Sequence, residues 1–167
     1  MYAAHETLIQ HLDEHDVKYM VNSDDHSVYM NLYGTVGTYQ IVARVDDGAG
    51  LFLVCGRLPV RAPAGAVPAI AETITRANFE LLNGRFEMDF DTGDLQFQIA
   101  EILSGVSLDE EVIERMIRTT LRMLDTYMPA VLSVIYGNEQ PRDAVYHVEE
   151  PPCDDECPPD VDDARPF

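Results

Sequence analysis

Residues Val67 to Ile99 read VPAIAETITRANFELLNGRFEMDFDTGDLQFQI, and the reading of this stretch decides the fold. Apolar side chains at Val67, Ile70, Ala71, Ile74, Ala77 and Leu81 recur at the spacing of one helix face. Pro68 suits the first turn, where its missing N–H costs nothing, and Gly84, after Asn83, suits a stop. The pattern predicts a helix over 67–83. Strict alternation comes next, with Phe86, Met88 and Phe90 pointing one way, Arg85, Glu87 and Asp89 the other, and Asp91-Thr92-Gly93-Asp94 as a turn. Leu95, Phe97 and Ile99 repeat the pattern against Gln96 and Gln98, so six large apolar side chains are expected on one face of an antiparallel hairpin. Such a face needs a helix over it.

Towards the N-terminus, Ala4 to His15 reads as a short amphipathic helix with Leu8, Ile9 and Leu12 inward and His5, Glu6, Asp13 and Glu14 outward. Val17 to Val21 offers a short strand, Asn22-Ser23-Asp24-Asp25 a turn, and Ser27 to Tyr33 a strand in which Val28, Met30 and Leu32 alternate with Tyr29, Asn31 and Tyr33. After Gly34 to Gly37, Thr38 to Asp46 places Tyr39, Ile41, Ala43 and Val45 on one face, and Asp47-Gly48-Ala49-Gly50 turns the chain. Leu51 to Cys55 is apolar on both faces, which predicts a central or doubly covered strand. Pro59, Pro63 and Gly65 mark residues 56–66 as a loop.

On the C-terminal side, Ser107-Leu108-Asp109-Glu110 matches a capping box with Ser107 as N-cap. A long helix is expected from there to about Tyr136, its apolar stripe running from Val112 and Ile113 to Ile135, with Pro129 kinking or dividing it. Asp143 to Val148 could add a terminal strand, and Glu149 to Phe167, rich in proline and acid, is expected to be disordered. These readings divide the chain into a domain over 1–137 and an acidic tail containing Pro and Cys over 138–167.

The chain of 167 residues carries 30 acidic against 11 basic side chains, a net charge of −19. Nucleic acids and anionic membranes both select Lys and Arg, so neither partner is expected, and a neutral or basic protein partner is. No run approaches the length of a membrane span, and the acidic start is unlike a secretion signal, so a cytoplasmic protein is expected. Of three cysteines, Cys55 reads as a small buried hydrophobe, while Cys153 and Cys157 sit four apart in the tail without the further ligands that mark a zinc site.

His11-Leu12-Asp13-Glu14-His15 matches H-x-x-E-H, in which two histidines one turn apart hold zinc and the glutamate acts as base. A small metal-dependent hydrolase using His11, Glu14 and His15 is therefore the competing reading. The motif lies on a short N-terminal helix with no evident third ligand, and a solvated polar face accounts for it. Asp24, Asp25 and His26 read as turn residues. Arg115, Arg118 and Arg122 form a ridge on the last helix, with Glu111 and Glu114 one turn before the first two, a pattern that ordinary helix pairs explain. The same ridge could hold the acidic tail or an acidic partner. Phe79 falls off the main stripe of the 67–83 helix beside Leu82, and a second apolar stripe on a surface helix points to a partner, commonly a second copy.

Asn78, Gly84-Arg85-Phe86-Glu87-Met88-Asp89, Gly93, Leu95 and Phe97, then Ser107-Leu108-Asp109-Glu110 and Leu124-Asp125-Thr126-Tyr127-Met128-Pro129, together with the element order, resemble the bacterial YbjN family. The resemblance covers about 4–136 and is clearest from 67 onward. It implies the fold of the type III secretion chaperones: an α+β domain whose antiparallel sheet has helices packed on one face, its main elements in the order α-β-β-β-α-β-β-α. Similarity to those chaperones implies dimers that bind extended segments of other proteins, and the YbjN family itself is labelled a regulator of sensory transduction. The acidic tail has no counterpart in the family pattern. The expected function is non-catalytic protein binding, chaperone-like or regulatory, by a homodimer without a cofactor, with Phe79, Leu82, Arg115, Arg118 and Arg122 as the candidate partner or dimer surface.

Overall fold

A computed structural model describes residues 3–46, 48–103 and 108–150. Helix α1 (Ala3–Glu14) is followed by strands β1 (Tyr19–Val21), β2 (Val28–Tyr33), β3 (Thr38–Asp46) and β4 (Leu51–Arg61). A 3₁₀ turn at Ala64–Ala66 leads into α2 (Val67–Glu80), then β5 (Arg85–Met88), β6 (Asp94–Ile102), α3 (Glu110–Tyr136) and α4 (Pro141–Glu149). The α+β class is as expected, but the order gains a strand before α2 and a helix at the end.

The strands form one antiparallel sheet in the order β1-β2-β3-β4-β6-β5. Period-two alternation drives Tyr39, Ile41, Ala43, Phe52, Val54, Phe97 and Ile99 to the face that the helices cover, where all are buried. β4 is central, as expected, yet helices cover only one side: Leu53 and Cys55 on its other face are half-buried. α3 presses on the sheet at Gly56, where a Cβ would lie 2.5 Å from Leu124 Cδ1 and 2.6 Å from Thr120 Cγ2, so the missing side chain lets α3 seat there.

Four expectations need correction, and a fifth is narrowed. β4 does not stop at Cys55 but continues through Pro59 to Arg61. Its pairing with β3 ends at Arg57, and its pairing with β6 shifts between Arg57 and Arg61, so the proline's missing N–H lies where no ladder bond is required. Phe90 does not join the hairpin ladder, because Asp89 Oδ1 accepts from the Asp91 and Thr92 N–H groups and draws the chain into its turn at Met88. Phe90 is 69% exposed, and five apolar side chains rather than six share the face. α2 ends at Glu80, short of 83, and Leu81 turns extended; Gly84 then adopts φ +81° beneath the Phe97 ring, a conformation a Cβ would strain.

Pro129 is expected to kink or divide the last helix, and division is excluded, since α3 runs unbroken for 27 residues. Its ring lies on the exposed side between buried Met128 and Ala130, so water can reach the carbonyl left without a donor while packing holds the rest. Finally, 143–148 is helix, not strand. Pro141 opens α4, and Pro141, Ala144, Val145 and Val148 recur at helical spacing against α2 and α3. The first part of the expected tail thus belongs to the packed unit. Residues 151–167, with Cys153 and Cys157, lie outside the described residues. So do 104–107, which hold the expected N-cap Ser107; the cap seen at Glu110 is Asp109, whose carboxylate accepts from Val112 N at 2.9 Å.

Candidate functional site

Helix α2 buries Ile70 and Ala77 and leaves Phe79 outside, 88% exposed, with Leu82 just beyond the helix fully exposed at 103%. α4 docks beside it. Its Tyr146 is 56% exposed, and with Val145 and Phe79 it lines a groove of 420 Å³ whose polar margin is Thr75, Arg76, Arg142 and Glu149. The wall that α4 forms is held by two hydrogen bonds from its last turn. Tyr127 of α3 donates to Glu149 Oε1 at 2.7 Å, and the His147 ring pairs with Glu139 Oε1 at 2.7 Å. The Glu139 carboxyl sits below its ordinary value because Ser133 and His147 hydrogen-bond it. Arg76 is tied to Glu72 at 2.7 Å, whereas Arg142 has no ion-pair partner among the described residues.

Phe79 and Leu82 were readable from the helical stripe; Tyr146, Val145 and Arg142 were not. The Ala-Val-Tyr-His-Val run alternates well enough to pass for a strand. The signal for a helix was Pro141 followed by Ala144, Val145 and Val148.

The arginine ridge lies apart, with no residue lining both surfaces. Arg118 pairs with Glu114 at 2.5 Å, as the helical spacing predicts. Arg115 reaches Glu101 of β6 at 3.8 Å instead of Glu111, and Arg122 has no ion-pair partner among the described residues. A shallow groove of 640 Å³ runs along Arg115, Arg118 and Arg122. Exposed pairs of this kind are worth at most about 1 kcal/mol each, so the ridge contributes little to folding stability.

Of the H-x-x-E-H residues, His11 and His15 come together, their ring centroids 4.3 Å apart, while Glu14 is held by Gln10. His11 is buried, 6% exposed, rather than on a solvated face, and its Nδ1 has no hydrogen-bond partner. Burial, then the neighbouring His15, lowers its pKa against the opposing pull of Glu110, Glu114 and Glu14. His15 Nδ1 donates to the His11 carbonyl at 2.8 Å, and the exposed Glu14 accepts from Gln10 at 2.8 Å. No group of three or more metal-ligating side chains is brought together among the described residues. Asp25 is a turn residue, accepting from the Ser27 N–H at 3.1 Å and the Ser27 hydroxyl at 2.9 Å. The half-buried Cys55 thiol faces Gln96 Oε1 at 3.2 Å, and burial pushes its pKa up to about 11, an unreactive thiol.

Among curated proteins none matches the chain in sequence. Solved structures share its fold, among them these two. One is YbjN from E. coli, described as "a putative transcription regulator", with 15% identity, TM-score 0.51, and coverage of 74% of this chain and 86% of that one. The other is the HopA1-SchA chaperone-effector complex, with 12% identity, TM-score 0.50, and coverage of 72% and 88%. The profile of the YbjN family, described as "Putative bacterial sensory transduction regulator", matches residues 4–133, from α1 to the last turn of α3. That span takes in the whole sheet, α2 and nearly all of α1 and α3, so the chain belongs to the YbjN family.

Proposed function

We propose that this chain is a cytoplasmic, non-catalytic protein-binding module, chaperone-like or regulatory, that acts as a homodimer through the face carrying Phe79, Leu82 and Tyr146. The observation that carries the reading is the exposure of Phe79 on a helix whose opposite face is core, with Leu82 fully exposed just past its end. Two large apolar side chains beside a tyrosine-lined groove favour burial against a protein surface. Membership of a regulator family and the fold shared with a chaperone-effector complex support a protein-binding or regulatory role. Among the described residues no helix is long and apolar enough to cross a membrane.

An extended partner segment could add to the sheet, and the two edges differ in what they offer it. On β5 the outward groups of Phe86 are taken by Asn78. On β2, Gly34 N bonds Gly37 O, so strand alternation turns the Asn31 and Tyr33 backbone groups towards β1, which ends at Tyr19 opposite Met30. Tyr33, beyond the last pair with β1, has backbone groups open to a partner strand. Sedimentation velocity at micromolar concentrations tests the dimer: wild type sediments as a dimer and Phe79→Asp/Leu82→Asp as a folded monomer. A monomeric wild type, or a double variant that still dimerises, would sink the proposed dimer face.

A further inference from the structure

The partner surface on α2 and α4 gives no role to the paired rings of His11 and His15. The two residues lie one turn apart at the end of α1, where the His15 N–H still bonds the His11 carbonyl at 3.2 Å, and their ring centroids are 4.3 Å apart. His15 is exposed, and its Nδ1 donates to the same carbonyl at 2.8 Å, which fixes the tautomer and leaves the lone pair on Nε2. His11 is buried with Nδ1 shut in and unpaired, so Nε2 is the nitrogen left to meet a ligand. An unsatisfied buried group costs about 1–3 kcal/mol, and a leucine would fill the place without it, so packing does not explain a histidine there.

Carboxylates of a second helix come near. Glu110 and Glu114, at the start of α3, act on His11 electrostatically, as does Glu14 of α1. Arg118 holds Glu114, whereas Glu110 is exposed and has no ion-pair partner among the described residues. We propose that His11 and His15 bind one zinc ion, with Glu110 turning in as third ligand and water completing the shell, so that the ion clamps the end of α1 to the start of α3. Two imidazole nitrogens at about 2.0–2.1 Å from a tetrahedral Zn²⁺ stand about 3.3 Å apart, a spacing that rings with centroids 4.3 Å apart can present. Imidazole suits zinc, and burial keeps His11 in the neutral form that ligation needs. The ion's role is structural rather than hydrolytic, because Glu14, the glutamate of the motif, is bonded to Gln10. The site shares no residue with the Phe79 face and does not depend on it.

The test takes the full chain, stripped with a chelator, and follows zinc chloride binding at neutral pH by calorimetry and thermal melting. The expected result is one ion per chain and a melting temperature that rises with zinc concentration. His11→Leu and His15→Gln should each abolish both while circular dichroism shows the metal-free protein folded, and Glu110→Gln should weaken binding about tenfold. His5→Gln/His26→Gln removes the other histidine pair, whose ring centroids are 5.6 Å apart, and Cys153→Ser/Cys157→Ser removes the paired thiols; both should bind zinc as wild type does. Zinc uptake that survives His11→Leu or His15→Gln overturns the proposal, and so does an affinity unmoved by Glu110→Gln. Loss of the ion in the His5/His26 variant or the cysteine variant assigns it elsewhere and overturns it too, as does a wild type that takes up no zinc.

Discussion

The side-chain amide of Asn78 and the backbone of Phe86 exchange two hydrogen bonds: Nδ2 donates to the Phe86 carbonyl at 2.9 Å, and the Phe86 N–H donates to Oδ1 at 2.7 Å. A residue on α2 thereby stands in for a neighbouring strand on the outer side of β5. The Phe86 side chain is buried against Phe97 and Tyr127, so its backbone groups have little access to water. Asn78→Ala should therefore cost about 2 kcal/mol, the penalty for leaving buried backbone groups unpaired. Asn78→Asp should recover only part of it, since a carboxylate accepts from the N–H but cannot donate to the carbonyl. Urea unfolding measures both, and an Asn78→Ala midpoint equal to wild type would remove the assigned role.

Asp125 ties α3 to the β2–β3 turn, accepting from Thr35 N at 2.6 Å, Val36 N at 3.0 Å and the Tyr39 hydroxyl at 2.9 Å. Burial pushes its carboxyl up, but these hydrogen bonds outweigh that and leave it below the usual carboxylate value. Burial first, then the bond to Asp125, raises the Tyr39 phenol. A group whose pKa is depressed on folding stabilises the fold above its unfolded value of about 3.9, and that contribution disappears as pH falls through the folded value. Asp125→Asn should cost about 1.5–3 kcal/mol at pH 7, with the gap to wild type narrowing below about pH 4. A gap independent of pH down to acid unfolding would contradict this.

His11 carries the opposite charge type. Its pKa is lowered from the ordinary 6.5, so the folded state prefers the neutral ring, and protonation favours unfolding. Stability should fall as pH drops below about 6.5, until the folded-state pKa is passed. His11→Leu removes both the titration and the buried unpaired Nδ1, and should stabilise the chain by about 1 kcal/mol at pH 5.5 and by less at pH 8. Thermal melts at the two pH values measure the difference; an equal effect at both would assign the acid sensitivity to other groups.

Gly56→Ala places a methyl against Leu124 and Thr120, with Ile41 Cδ1 at 3.0 Å as the third contact. Overpacking of this kind costs about 1–3 kcal/mol, and Leu124→Ala in the same chain should relieve part of the clash, giving a double change smaller than the sum of the singles. Additive losses in denaturant unfolding would show that α3 shifts freely away from β4.

Phe79→Asp and Leu82→Asp should each leave stability within about 0.5 kcal/mol of wild type, because both side chains are exposed and bury nothing in the fold. A large loss of melting temperature in either would mean that the face is structural, not an interaction surface.

Helix and strand identity was legible where the cause is local. α1, α2, the hairpin and α3 announce themselves by periods of 3.6 and 2, since those spacings put side chains on one side of a neighbouring layer whatever that layer is. Charge balance and the exposed position of Phe79 were legible for the same reason. What only the tertiary structure decided depends on groups far apart in the chain. The Val145 run is helix because α2 and α3 supply the surface for Pro141, Ala144 and Val148. Pro59 stays in a strand because two partners release its register. His11 is buried although it is a polar side chain in the polar H-x-x-E-H run. Phe79 acquires a groove because Tyr146, 67 residues away, is laid beside it. Local periodicity fixes which face a residue presents, but the partner on that face is chosen by packing between distant segments, which no window of neighbouring residues contains.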